Sequence, residues 1–363
     1  MRRLLTSYSA ETRIQLATNF LKSHSGQEVL FVAPTRAAGD DLVRNLSLST
    51  GGSFGVHRFT LASLAVETAS ERLTTDGFSI LAGVAIEALA ARAVEGCRTA
   101  SELRWFEPVA ATPGFFRALA STITELRMND VDRVALAASG PAGEDLSKIL
   151  IRFEQAQVES RISDLAMIYR IATETVKRSL PILLLDPPAN NRLERNFIAA
   201  LIAHSPSLLA TAHCQNVRGV KALEEVFKTK AELTEPDSAP PEPALSRLRK
   251  YVFSVAAPPI ATIDPSVEFR SASDESREAV EIARSIGAAA RNGLAFDRVA
   301  ILLRNPETYQ PLIEDAMRRA NIPVFYSLGS RRPNAAGRAF LALLACASEG
   351  LSASRFGEYL SLG

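Results

Sequence analysis

Short apolar runs recur along this chain: EVLFVA (28–33), PILLLD (181–186), SLLATA (207–212), VEFRS (267–271), RVAILL (298–303) and PVFYS (323–327). Each is bounded by turn or helix-start residues and is nearly continuous in apolar character, which is how a strand buried on both faces reads. Longer helical patterns lie between them, so the chain is predicted to be α/β with parallel sheet. The stretch 61–177 differs. It is rich in Ala and Leu at helical spacing, as in FFRALASTITELR (115–127), and offers no convincing strand. A helical insertion between early and late strands of one sheet accounts for it.

Residues 235–264 (EPDSAPPEPALSRLRKYVFSVAAPPIATID) are dense in proline at both ends and read as a connection between domains. The expected organisation is a first domain over 1–234 carrying the insertion at about 61–177, a linker over 235–264, and a second domain over 265–363 in which strand and helix alternate again. With 363 residues, 47% of them hydrophobic, the chain can bury two cores. A net charge of +1 excludes a global attraction to nucleic acid or membrane, so any basic surface is local. Cys97, Cys214 and Cys346 are widely spread and form no CxxC pair, which argues against a disulfide framework or a structural zinc site. No apolar run approaches the roughly 20 residues of a membrane span. A cytoplasmic location with no membrane partner is the expectation.

Four stretches carry possible chemistry. A working phosphate loop, GxxxxGK[ST], wraps phosphates with backbone N–H groups, neutralises them with lysine and holds magnesium with a hydroxyl. LLTSYSAETR (4–13) stands where such a loop would be, but Ala10 and Glu11 replace its glycine and lysine, and only the hydroxyl of Thr12 survives. On its own terms the segment is a strand, a turn and a helix capped by Ser9, with Glu11 near the helix's positive end. In VLFVAPTRAAGDDLVRNL (29–46), Thr35 and Arg36 are displayed where a strand gives way to a helix, the edge at which open α/β sheets bind ligands. ILLLDPPANN (182–191) has the form of a Walker B strand ending in Asp186, with Pro187 where a glutamate would orient water. Beyond the linker, RVAILL ends at an exposed Arg304, and Arg331, Arg332 and Arg338 form a local basic cluster.

Taken in order, these elements resemble the UvrD-type superfamily 1 helicases, and more closely the AddB-like helicase-nuclease subunits. PTRAA (34–38) is similar to the family's motif Ia, whose threonine and basic residue contact single-stranded DNA, and HRFTLASLA (57–65) resembles the next motif of that family. ATPGFFRALASTITELR (111–127) is similar to a helical stretch of such proteins. SDESREAVEIA (273–283), then VAILLR (299–304) and NIPVFY (321–326), resemble the start of the second motor domain with motif IV, whose arginine faces the nucleotide. The resemblance implies a P-loop NTPase (RecA-like) fold with two motor-like domains, in a family that continues into a nuclease domain of the PD-(D/E)XK type. The present chain is then expected to be shorter than such a protein.

The resemblance implies a degenerate nucleotide site at Ala10, Glu11, Thr12, Asp186 and Arg304, and a DNA path along Thr35, Arg36, Arg58 and Thr60. The partners implied are DNA, single-stranded, and an AddA-like helicase-nuclease subunit, in double-strand-break repair and recombination. No catalytic residue, metal site or cofactor is assigned to this chain. ATP and magnesium enter only if it is instead a working ATPase with an atypical loop, resting on Thr12, Asp186 and Arg304. A third reading is a structural interaction module that touches neither nucleotide nor DNA.

Overall fold

The computed structural model describes residues 2–80, 83–177, 179–234, 243–262, 264–327, 329 and 335–362, and the chain divides into two compact units, Met1–Ser266 and Val267–Gly363. In the first unit, strand β1 (Arg2–Ser7) leads into helix α1 (Ala10–Ser23), β2 (Val29–Val32) into α2 (Arg36–Thr50), and β3 (Val56–Phe59) into α3 (Leu61–Thr75). The two-residue strand β4 (Ser79–Ile80) is followed by α4 (Val84–Thr99), α5 (Pro113–Met128), α6 (Arg133–Ala137) and α7 (Pro141–Glu159). Then come β5 (Ile162–Ser163), α8 (Leu165–Thr175), β6 (Ile182–Leu185), α9 (Arg192–His204), β7 (Leu208–His213), α10 (Val217–Phe227), β8 (Glu232–Leu233) and α11 (Ala244–Tyr251).

Six strands form one sheet in the order β3-β2-β6-β7-β1-β8, and every neighbouring pair in it is parallel. The central strands are buried on both sides, as their continuous apolar runs require. Alternate residues serve opposite faces. Leu4, Leu30, Val32, Ile182, Leu184, Leu208 and Ala210 pack with residues of α3, α8, α9 and α10, while Leu5, Val29, Phe31, Leu183, Leu185 and Leu209 pack with α1 and α2.

Of the helices read as an insertion, α3 and α8 therefore belong to the sheet's own core. Helices α4, α5 and α7 gather around a separate core that includes Leu89, Val94, Ile123, Ile149 and Phe153. The segment expected to hold no strand does contain a short pair: β4 and β5 run parallel through Ser79 with Ile162 and Ile80 with Ser163, where the chain leaves and rejoins the sheet domain. One buried cation ties the two cores together. Arg127, near the end of α5, donates to Asp164 at 2.6 Å and to Gln157 and Glu154 of α7, and Asp164 is the N-cap of α8.

The connection over 235–264 lies outside the described residues at 235–242 and at 263; between those positions it is not a bare linker but contains α11. The second unit holds α12 (Glu275–Arg291), a single 3-10 turn (Phe296–Arg298), α13 (Pro306–Arg319), α14 (Ala335–Ser348) and α15 (Ala353–Leu362). The three runs expected as strands here, 267–271, 298–303 and 323–327, are irregular apart from the turn that ends at Arg298. A strand exists through the ladder it makes with a neighbour, and none of these segments has one among the described residues. Ile301, Leu303 and Ile322 instead pack against a small core of Ala279, Ala283, Ile313, Ala316 and Met317 from α12 and α13, which leaves Leu302 almost fully exposed.

Candidate functional site

Parallel strands all point one way, so the helices that come after them all begin at the same edge of the sheet. Ser9, Thr35, Thr60, Asn191 and Asn216 cap α1, α2, α3, α9 and α10, each accepting a backbone N–H with its side-chain oxygen. Five helix N-termini, each the positive end of its dipole, are thus assembled at the C-terminal edge of one sheet. Two of the expected DNA-path residues are among these caps. The Thr35 oxygen accepts from the N–H of Ala38 at 3.1 Å. Thr60 forms a reciprocal capping box with Ser63. The Thr35 hydroxyl, used only as an acceptor, keeps a proton to donate, whereas that of Thr60 donates to the Ser63 oxygen at 3.0 Å.

The two arginines of that path differ. Arg36, the first residue of α2, is exposed and makes no side-chain hydrogen bond or ion pair among the described residues. Arg58 on β3 pairs with Asp40 of α2 at 2.9 Å, both side chains about half exposed. Adjacent strands β2 and β3 hold the group together, through the register Phe31 with Arg58 and Val32 with Phe59.

At the phosphate-loop position only Tyr8 and Ser9 separate β1 from α1. Leu5, aligned with the first glycine of a phosphate loop, is a buried residue of the strand. The short turn is closed on itself: the N–H of Ser9 donates to Ser7 Oγ at 3.0 Å and the N–H of Thr12 to Ser9 Oγ at 3.3 Å. Ala10 and Glu11 are exposed in the first helical turn and Thr12 is half-buried.

The space beside this turn is filled by Arg13, a residue that motif comparison does not single out. Its Nε lies 3.0 Å from both carboxylate oxygens of Asp186, and a terminal nitrogen donates to the carbonyl of Ser7 at 2.9 Å. Asp186, just past β6 in the left-handed region at φ 46°, also accepts from the Thr211 hydroxyl at 3.0 Å. The guanidinium side chain is 9% exposed and its carboxylate partner 30%. The sequence does hold a signal for this: Arg13, Ala17 and Leu21 are the buried positions of α1, four residues apart, so the cation stands on the inward stripe of its helix. His213, at the end of β7, is held below its ordinary value by burial and by the Arg13 charge, against the opposing pull of Asp186. Its Nδ1 lies 3.2 Å from the N–H of Gln215, an acceptor role that suits the neutral ring.

Helix α11 borders the same turn. Gln215 donates to the carbonyl of Lys250, and the Lys250 ammonium lies 6.0 Å from the centre of the Tyr8 ring. Arg304 belongs to the second unit, where it is exposed in the bend that precedes α13. Of the basic cluster, Arg331 and Arg332 lie outside the described residues, and Arg338 is in the first turn of α14. No helix among the described residues is long and apolar enough to cross a membrane.

A parallel sheet with helix N-termini gathered at one edge is compatible with a Rossmann-like or P-loop-like α/β fold. No family model matches the chain. Over 92 residues it is 36% identical to an ATP-dependent helicase/deoxyribonuclease subunit of Pelotomaculum thermopropionicum, a match that spans 25% of this chain and 8% of that protein.

Proposed function

We propose that this chain is a helicase-like region of a DNA-repair helicase-nuclease subunit, serving as a scaffold that binds single-stranded DNA and docks on a companion motor subunit, without nucleotide chemistry of its own. The similarity to a helicase/deoxyribonuclease subunit supports the coarse role. The observation that carries the DNA-binding part is the pair of adjacent caps, Thr35 and Thr60, at helix N-termini beside the unpartnered Arg36. The Thr35 hydroxyl proton, helix-dipole charge and a free guanidinium are what a phosphodiester backbone takes as partners.

The nucleotide-free part is supported by Arg13. A P-loop enzyme needs backbone N–H groups free to wrap phosphates and an aspartate free to hold magnesium through water. Here two of the N–H groups at the turn, those of Ser9 and Thr12, are bonded within it, and Asp186 already accepts from a guanidinium and a hydroxyl. The degenerate site of Ala10, Glu11, Thr12 and Asp186 is then structural, no ATP or magnesium is required by this chain, and Arg304 has no nucleotide to face. A cytoplasmic location is the one that suits this role.

Anisotropy of a labelled single-stranded oligonucleotide tests the proposal. Phosphate contacts make affinity fall with salt by about 0.7 in log–log slope per phosphate on a single strand. The double variant Arg36→Ala, Arg58→Ala is expected to bind at least about tenfold more weakly at low salt, with a slope shallower by about 1.4. Unchanged affinity and slope would remove the DNA path from this edge.

A further inference from the structure

The loop between α4 and α5 is built around one buried carboxylate. Asp145, on the first turns of α7 and 1% exposed, accepts three consecutive backbone N–H groups: Arg104 at 3.0 Å, Trp105 at 2.8 Å and Phe106 at 3.0 Å. Successive N–H groups converging on one anion form a nest, and filling it with the protein's own carboxylate fixes the backbone at all three residues. Leu103 on one side is buried, and Phe106 on the other packs on Phe115 with ring centres 5.4 Å apart. Between these anchors the fixed backbone turns two side chains outward.

The first is Trp105, 60% exposed and the only tryptophan of the chain. The second is Arg104. Every other lysine or arginine between 84 and 160 lies within ion-pair distance of a carboxylate: Arg92 with Glu159, Arg98 with Glu95, Arg117 with Glu87, Arg127 with Asp164, Arg133 with Glu154, Lys148 with Glu144 and Arg152 with Glu102. Arg104 is exposed and has no carboxylate within ion-pair distance among the described residues, although its charge reaches Glu144, which is bridged to Lys148.

We propose that Trp105 and Arg104 form a stacking site for one base of a single-stranded nucleic acid, the indole face taking the base and the guanidinium the neighbouring phosphate. This rests on the proposed DNA-binding role and adds a second contact, in the helical layer rather than at the sheet edge. A single aromatic face with an exposed cation beside it is what sequence-tolerant single-strand binders present. A protein hot spot needs an apolar collar that keeps water from the anchor. Here charged groups flank the pair, Glu102 and Glu107 in bridges to Arg152 and Arg98, and the exposed apolar residues that follow in the loop are Pro108 and Val109.

Because Trp105 is the sole tryptophan, emission excited to the red of the six tyrosines reports on this site alone. Titration with an unlabelled oligodeoxythymidylate of about 16 nucleotides, near the upper site size of single-strand binding modules, is expected to quench that emission in step with binding seen by anisotropy. Trp105→Ala is expected to weaken binding about 5- to 100-fold, and Trp105→Phe by much less, because a π face remains. Binding by anisotropy with unmoved emission and unchanged Trp105→Ala affinity would overturn this site while leaving the sheet-edge reading intact. No binding to any oligonucleotide would overturn both. Emission that responds only to self-association at higher protein concentration would assign Trp105 to a protein interface and overturn the nucleic-acid proposal.

Discussion

Replacing Arg13 with methionine keeps an unbranched stem in the α1 stripe and removes the charge, so it isolates what the guanidinium does. Two acceptors lose one donor each. The carboxylate of Asp186 keeps the Thr211 hydroxyl, and water reaches its exposed third; the Ser7 carbonyl keeps the N–H of Cys214 at 3.4 Å. Hydrogen bonds to charged groups contribute about 1.5–3 kcal/mol. Because neither acceptor is left bare, the expected destabilisation is about 1.5–3 kcal/mol. For a unit of this size each kcal/mol moves Tm by about 2–4 °C, so Tm is expected to fall by about 3–12 °C. Thermal unfolding of the wild type, Arg13→Met, Asp186→Asn and the double variant supplies the cycle, with a coupling of about 1.5–3 kcal/mol expected between the two sites. A Tm change under about 2 °C for Arg13→Met, or additive single effects, would refute the claim that this pair holds the edge of the sheet together.

The Arg127 cluster gives a second test, with a pH signature. Arg127 is 3% exposed and Asp164 8%, so Arg127→Met leaves a buried carboxylate unpaired and is expected to destabilise by about 3–5 kcal/mol at neutral pH. Burial alone would push the Asp164 carboxyl up, but the hydrogen bond and charge of Arg127 outweigh it and hold the group below its ordinary 3.8. A carboxyl depressed in the folded state contributes stability that is present above its unfolded value and is lost as pH falls through the folded one. In the variant the shift reverses, so the stability deficit measured by urea unfolding is expected to begin shrinking above the ordinary 3.8, as the variant's raised carboxyl takes up its proton, and to shrink further below it as the wild type loses its own contribution. A deficit that stays constant from neutral to acid pH would contradict the assignment.

The parts of the fold legible in the sequence are those whose signal is local. VLFV, ILLL and LLATAH are long enough and apolar enough to be strands in any context that covers both faces, and all three are. Ser9 announces the start of α1 by its hydroxyl alone. The edge strand β3, VHRF, reads in the sequence only as a motif, because four residues that include His57 and Arg58 carry no buried-strand pattern. The runs at 267–271, 298–303 and 323–327 show the converse: apolar β-type residues permit a strand, but a partner makes one. Arg13 is invisible to the phosphate-loop motif, which ends at Thr12, while its role depends on α1 lying beside the end of β6, 173 residues further along the chain. The platform at Trp105 is equally hidden, since nothing at residues 104–106 reveals that a carboxylate 40 positions later organises them.

The most direct test of the central claim, a helicase-like scaffold whose nucleotide edge is occupied by its own Arg13–Asp186 pair, is a calorimetric titration of magnesium-ATP into the full chain. The titration is run in parallel on a variant carrying Ala10→Gly and Glu11→Lys. The account predicts no binding heat for the wild type, and none for the variant until Arg13→Met is added, because the guanidinium rather than the missing lysine closes the site. Saturable magnesium-ATP binding by the wild type, lost on Asp186→Ala, would contradict it and return the chain to the working ATPases.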